Sequence, residues 1–113
     1  MFEQMAQRAI NILLTKCVEC ANGDKYWYLN DKRHRENGPA VEHANGNKYW
    51  FLNGKYHREN GPAVECANGS KEWYLNGKLH RKNGPAVEYV DGTKCWFLNG
   101  VELTKQEFNK RNK

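Results

Sequence analysis

The chain has 113 residues, of which 39% are hydrophobic and 12% aromatic, enough for one small domain with a modest core. Its formal net charge is +5, but residues 17 to 100 hold 12 Lys or Arg against 10 Asp or Glu and contribute only +2. This even distribution argues against a broad basic surface for nucleic acid. The P-loop, nucleophile-elbow and HExxH motifs are absent from the sequence, so we expect no enzyme activity.

Residues 1 to 16 are predicted to form an N-terminal amphipathic capping helix. Its apolar residues recur at helical spacing as Phe2, Met5, Ala6, Ala9, Ile10 and Leu13. We expect this stripe to pack over the open end of the first repeat, while self-association, partner docking and membrane-surface binding through the helix stay open. The stretch is too short to span a bilayer and too interrupted for a signal peptide, which favours a cytoplasmic protein without membrane attachment.

The next segment, residues 17 to 108, is a repeat domain with a period of 23 residues. The four units are 17–39, 40–62, 63–85 and 86–108, and each contains one Trp: Trp27, Trp50, Trp73 and Trp96. Periods of this size are typical of stacked units that bury a shared core. We therefore predict that the Trp column is structural. The same holds for the recurring loops Gly38-Pro39, Gly61-Pro62 and Gly84-Pro85.

Each unit is predicted to contain one main β-hairpin, because β-branched and aromatic residues flank Asn-Gly pairs. A two-residue turn at Asn45-Gly46 places Val41 opposite Trp50, and a three-residue turn would break this pairing. Two strands for each unit give an advance of roughly 10 Å. The prediction is an all-β fold: a single-layer antiparallel sheet of about four stacked hairpin repeats, with short terminal helices as caps.

The C-terminal end departs from the repeat pattern after Gly100. Thr104 and Glu107 have the spacing of a capping box, which predicts a short helix carrying Phe108. Residues 109–113 are expected to be a frayed basic tail.

Two segments carry a family resemblance: Gly54-Lys55-Tyr56-His57 and its counterpart at residues 77 to 80. They resemble the MORN repeat family, whose 23-residue β-hairpins form a single-layer sheet, although Arg58 stands where that family usually has Gly. The longer block Trp-[Tyr/Phe]-Leu-Asn-Gly-Lys-x-His-Arg, followed by Gly-Pro-Ala, is similar to repeats in uncharacterised proteins of bacteriophages and large DNA viruses. The resemblance covers residues 17 to 108. It implies the fold, and its viral form implies that the protein blocks a host enzyme or defence factor.

The strongest candidate binding feature is a His-Arg row, because Arg can donate two parallel hydrogen bonds to a phosphate or carboxylate and His can donate another. Its members are His34, Arg35, His57, Arg58, His80 and Arg81. An aromatic column adds Tyr28, Phe51, Tyr74 and Phe97 as a second candidate surface. A structural role also stays open, with His bonding a loop carbonyl and Arg pairing with Glu36, Glu59 or a neighbouring carboxylate.

The four Cys residues do not predict a metal site. Cys17 and Cys20 form one CxxC without a second, and Cys20, His43 and Cys66 share a repeat column with members about 10 Å apart. We expect reduced thiols, no metal and no cofactor.

These observations predict a non-enzymatic scaffold that binds a protein partner. The alternatives are binding of nucleic acid or a phosphorylated small ligand through the His-Arg row, and a homo-oligomer formed through residues 1–16.

Overall fold

The computed structural model describes residues 2 to 111, with side chains described from residue 6 onward. The last two residues of the predicted basic tail, Asn112 and Lys113, therefore lie outside the described residues, as do the side chains of Phe2 and Met5.

Within residues 2 to 111 the chain forms fourteen short strands between two helices. The helices are α1, Phe2–Leu14, and α2, Lys105–Arg111. The strands are β1 Lys16–Glu19, β2 Lys25–Leu29, β3 Lys32–Arg33, β4 Val41–Glu42, β5 Lys48–Tyr49, β6 Phe51–Leu52, β7 Lys55–Tyr56, β8 Val64–Glu65, β9 Lys71–Glu72, β10 Tyr74–Leu75, β11 Lys78–Leu79, β12 Val87–Glu88, β13 Lys94–Leu98 and β14 Val101–Leu103. The prediction of an all-β fold with short terminal helices is confirmed.

The main sheet is antiparallel and follows the order β1-β2-β4-β5-β8-β9-β12-β13-β14, with β3 paired to β2. Each repeat contributes one hairpin to this sheet, and the second hairpins β6–β7 and β10–β11 lie outside it. Because two strands enter the sheet from each repeat, successive repeats run in the same direction. The described chain is flat, measuring 44 × 39 × 17 Å.

The main hairpins contain three-residue turns, so the predicted Val41–Trp50 pairing is wrong. In the second repeat, His43 N–H donates to Asn47 O and Gly46 N–H donates to His43 O, both at 2.9 Å. Gly46 supplies the positive φ of 101° that this turn requires. Val41 consequently lies opposite Tyr49, not Trp50.

Trp50 instead lies at the corner where the chain leaves the main sheet for its second hairpin. Its N–H donates to Ala63 O of the next repeat at 2.8 Å, and its O accepts from His57 N–H at 3.0 Å. The second hairpin turns through Asn53 and Gly54, with φ values of 52° and 79°, the pair of positive angles typical of a type I′ turn.

The core is distributed along the stack. Small Ala and Val side chains make up most of its buried hydrophobic residues. They occupy the same two columns in three repeats: Ala40, Val41, Ala63, Val64, Ala86 and Val87. Around the second repeat, Phe51 joins them, with Tyr26, Trp27, Tyr49 and Tyr56 packed alongside. Each repeat therefore depends on its neighbours for burial, as expected for a stacked architecture.

Helix α1 does not pack in the predicted way. Ala6, Ala9, Ile10 and Leu13 of its apolar stripe are exposed, Leu13 to 83%, so the expected packing of this stripe over the first repeat is wrong. The more protected residues Asn11 and Thr15 belong to a different side of the segment. None of the helices among the described residues is long and apolar enough to cross a membrane.

Helix α2 closes the other end. Thr104 Oγ1 accepts from Glu107 N–H at 3.1 Å and Glu107 Oε1 accepts from Thr104 N–H at 2.8 Å, so the predicted capping box is confirmed. These bonds hold the pKa of Glu107 below its usual value. Phe108 is buried as predicted, but the helix continues to Arg111 and does not fray from Asn109.

Candidate functional site

The His residues of the His-Arg row join consecutive repeats. Each His Nδ1 accepts a 2.9 Å hydrogen bond from the backbone N–H of an Asn in the second hairpin of the following repeat. The pairs are Asn53 to His34, Asn76 to His57 and Asn99 to His80. We expected a loop carbonyl as the partner, and the structure places a backbone donor there. One ring nitrogen of each His is thereby used to position the next turn.

His34 also contacts a carboxylate. Its ring is 2% exposed, and its Nε2 lies 2.5 Å from Oε2 of Glu36. Because Nδ1 accepts from Asn53, the hydrogen is on Nε2 and is donated to Glu36. Burial alone raises the pKa of Glu36, but the bonds from Asn11 and His34 hold the pKa below its ordinary value.

The Arg residues of the row are held between an indole ring and two oxygen acceptors. Arg58 Cζ lies 3.8 Å from the Trp50 ring centroid, while its Nη1 donates to Pro62 O at 3.0 Å and to Glu65 Oε2 at 2.7 Å. Arg35 and Arg81 repeat these contacts, stacking over Trp27 and Trp73 and bonding to Glu42 and Glu88. Of the carboxylates considered as partners, the acceptor is thus a neighbouring Glu seven residues later in the chain and not Glu36 or Glu59.

The Gly of each Gly-Pro loop makes room for this guanidinium. A Cβ built on Gly38 would lie 2.9 Å from Arg35 Cζ, and one built on Gly61 would lie 3.0 Å from Arg58 Cζ. These glycines do not have the left-handed backbone of the Asn-Gly turns. Their requirement is space, which explains why the Gly recurs together with the Arg.

The aromatic column serves the stack. Phe51 is 8% exposed, whereas Tyr28, Tyr74 and Phe97 are half-buried. Tyr74 Oη donates to Glu72 Oε1 at 3.0 Å. Burial, reinforced by the nearby Glu72 charge, raises the pKa of Tyr74 above its usual value. None of these four aromatic residues lines the three grooves that lie beside the His-Arg row.

Three adjoining grooves lie beside the Trp and Arg side chains, one in each of the first three repeats. The first-repeat groove has a volume of about 180 Å³ and is lined by Trp27, Arg35 and Glu36, with Ile12 and Thr15 from the N-terminal segment. The second-repeat groove, about 790 Å³, is lined on one side by the equivalent side chains Trp50, Arg58 and Glu59. Its other side is formed by the 35–38 loop of the first repeat and by Gln7 and Arg8 of α1.

The third-repeat groove has a volume of about 720 Å³ and is lined by Trp73, His80, Arg81 and Lys82. It shares Glu59 and Asn60 with the second-repeat groove. The two open grooves therefore adjoin each other at Glu59 and Asn60.

The residue after His-Arg is Glu in the first two repeats, as Glu36 and Glu59, and Lys82 in the third. Sequence reasoning did not select this position as a site, although its change within otherwise constant columns was visible. It is the position at which the grooves differ in charge.

The Cys residues form no metal site. Cys17, Cys20, Cys66 and Cys95 are all free thiols, and burial raises the pKa of Cys66. Over residues 2 to 111, the structure contains no group of His, Cys, Asp or Glu side chains able to hold a metal ion.

Comparison of the chain with protein-family models, curated proteins and solved structures finds no match.

Proposed function

We propose that the protein is a non-enzymatic repeat scaffold that binds a protein partner along its second- and third-repeat grooves. One observation carries the proposal: the N-terminal segment lines the first groove through Ile12 and Thr15 and borders the second through Gln7 and Arg8, and no segment of the described chain covers the rest of the second groove or the third. A surface that accepts one polypeptide segment in cis has the shape and chemistry to accept another in trans.

The composition of the grooves supports the same proposal. Each combines a partly exposed indole and Leu with an Arg and a variable charged residue, the mixture of apolar anchor and polar rim found at protein interfaces. Nucleic acid or phosphate binding is the less consistent alternative, because each guanidinium of the row already bonds to a Glu and a Pro carbonyl.

The MORN-like and viral resemblance extends the proposal to its biological setting. A small scaffold with two adjoining grooves suits a viral inhibitor that occupies a host enzyme or defence factor in the host cytoplasm.

The test is site-specific photo-crosslinking in the native host. A photoreactive residue at Asn60, on the rim shared by the open grooves, is expected to crosslink a protein, whereas the same residue at Asn45, in a hairpin turn outside the grooves, is not. The crosslinked protein is then purified and titrated. We expect Glu59→Arg to weaken its binding at least tenfold and Asn45→Arg to leave it unchanged; equal effects of the two variants contradict the proposal.

A further inference from the structure

Glu36 and Glu59 occupy the same position in consecutive repeats but lie in very different surroundings. The side chain of Glu36 is 8% exposed, and that of Glu59 is 77% exposed. His34 Nε2 lies 2.5 Å from Glu36, whereas His57 Nε2 lies 3.8 Å from Glu59. Since the flanking His, Arg, Asn, Gly and Pro are identical, the neighbouring helix α1 is what distinguishes them.

Helix α1 supplies Glu36 with two polar partners. Asn11 Nδ2 donates to Oε2 of Glu36 at 3.0 Å, and Arg8 Nε lies 3.5 Å from Oε1. Arg8 and Asn11 are three residues apart, which places them on one face of a helix. A cation and an amide at this spacing therefore provide the donors that a carboxylate at this repeat position accepts.

The second-repeat groove offers the same carboxylate without a helix covering it. Its floor has the same side chains as the first-repeat groove, with Trp50 beneath Arg58 and Glu59 at the rim. Its volume is about 790 Å³, whereas that of the first-repeat groove is about 180 Å³. Its other wall is formed by Gln7 and Arg8 of α1 together with the 35–38 loop of the first repeat, so an incoming segment would lie alongside α1.

We propose that the second-repeat groove binds a partner helix that presents an Arg and an Asn, three residues apart, to Glu59, as α1 presents Arg8 and Asn11 to Glu36. This inference rests on the proposed function and specifies its partner. The partner is another protein and not a second copy of this chain, because the α1 of any copy already places these two side chains on its own Glu36. The third-repeat groove carries Lys82 at the equivalent position and therefore does not offer the same carboxylate.

The probe is a synthetic peptide of residues 2 to 15 with blocked termini, titrated into the full-length protein by calorimetry. We expect saturable binding of one peptide for each chain. Glu59→Gln is expected to weaken binding about tenfold, the loss typical of one charge-assisted hydrogen bond. The exposed Glu102 gives a matched control, since Glu102→Gln removes the same charge on β14 and is expected to change nothing.

A charge exchange makes the test specific. The peptide carrying Arg8→Glu is expected to bind the wild-type protein at least tenfold more weakly and to recover on the Glu59→Arg variant. The proposal is overturned if the peptide does not bind, if Glu59→Gln and Glu102→Gln act equally, or if the exchange gives no recovery. Dimerisation of the full-length protein that Glu59→Gln abolishes would also overturn it, because the occupant would then be a second copy.

The two proposals fail separately. Crosslinking of a protein at Asn60 without peptide binding refutes the helix chemistry and leaves the scaffold function standing. If no protein is crosslinked at Asn60 but the peptide still binds, the proposed function in the cell is refuted. The inference that the groove binds a helix of this chemistry then still stands.

Discussion

Replacing Arg58 by Ala tests whether the His-Arg row holds the stack together. The guanidinium lies 3.8 Å from the Trp50 ring centroid and donates to Pro62 O and Glu65 Oε2, and its side chain is 28% exposed. A partly desolvated cation–π contact contributes about 1 kcal/mol. A hydrogen bond to a charged group contributes about 1.5–3 kcal/mol. Glu65 is 35% exposed and regains water after the substitution, so we take the lower part of this range.

Arg58→Ala is therefore expected to lower the free energy of unfolding by about 3 kcal/mol, which corresponds to a fall in Tm of roughly 10–20 °C for a domain of this size. Arg58→Lys keeps the charge but loses the planar fork and should cost about half as much. The assay is chemical denaturation followed by tryptophan fluorescence and by circular dichroism, whose transitions must coincide for a two-state analysis.

A double-mutant cycle with Glu65→Gln isolates the ion pair, and we expect the two substitutions to be non-additive by at least about 0.5 kcal/mol. The exposed Lys105 provides the control, since Lys105→Ala should change stability by no more than about 0.5 kcal/mol. The reasoning is refuted if Arg58→Ala lowers the free energy of unfolding no more than this control does, because the His-Arg row would then not stabilise the stack.

Gly61→Ala, measured by the same denaturation, should cost about 1–3 kcal/mol because its Cβ displaces the Arg58 guanidinium, and the cost should shrink in the Arg58→Ala background. Thr104→Ala removes the acceptor for Glu107 N–H and should cost about 1 kcal/mol, with faster amide exchange confined to α2; unchanged exchange there would contradict the capping assignment. Burial raises the pKa of Tyr74, so the folded state keeps its proton longer than the unfolded state, and stability should be full below pH 10 and fall as pH rises above it. Tyr74→Phe should flatten this alkaline decline in Tm, and an equally steep decline in the variant would refute the assignment.

The sequence predicted the elements better than their contacts. A constant period, the Asn-Gly pairs and the Thr104–Glu107 spacing were sufficient for the repeats, the hairpins and the C-terminal helix. The register failed because Asn45-Gly46 fits both a two-residue and a three-residue turn. In the structure Asn45 Oδ1 accepts from Asn47 N–H at 2.9 Å, and this local bond accompanies the longer turn.

Helix α1 shows a different limit. Helical spacing identified an apolar stripe, but spacing does not say which surface the stripe faces. In the structure, Glu36 is buried and accepts hydrogen bonds from Asn11 and His34, while Leu13 stays exposed. A carboxylate that loses water needs donors, so the polar side of the helix faces the repeats. That requirement arises between residues 25 positions apart and is not visible in either segment alone.

The invariant and the variable columns therefore have different roles. His57 positions the next turn, Arg58 joins an indole to a carboxylate, and Gly61 makes room for the guanidinium, so each is fixed by a contact that the first three repeats share. Glu59, which lies between Arg58 and Gly61 in the sequence, has a side chain that is 77% exposed, and no contact between repeats fixes its identity. In a stack whose units must match their neighbours, a partner can be selected only at positions that the stack does not use. Glu59 is such a position, and under the proposed function a substitution there should weaken partner binding while leaving the free energy of unfolding nearly unchanged.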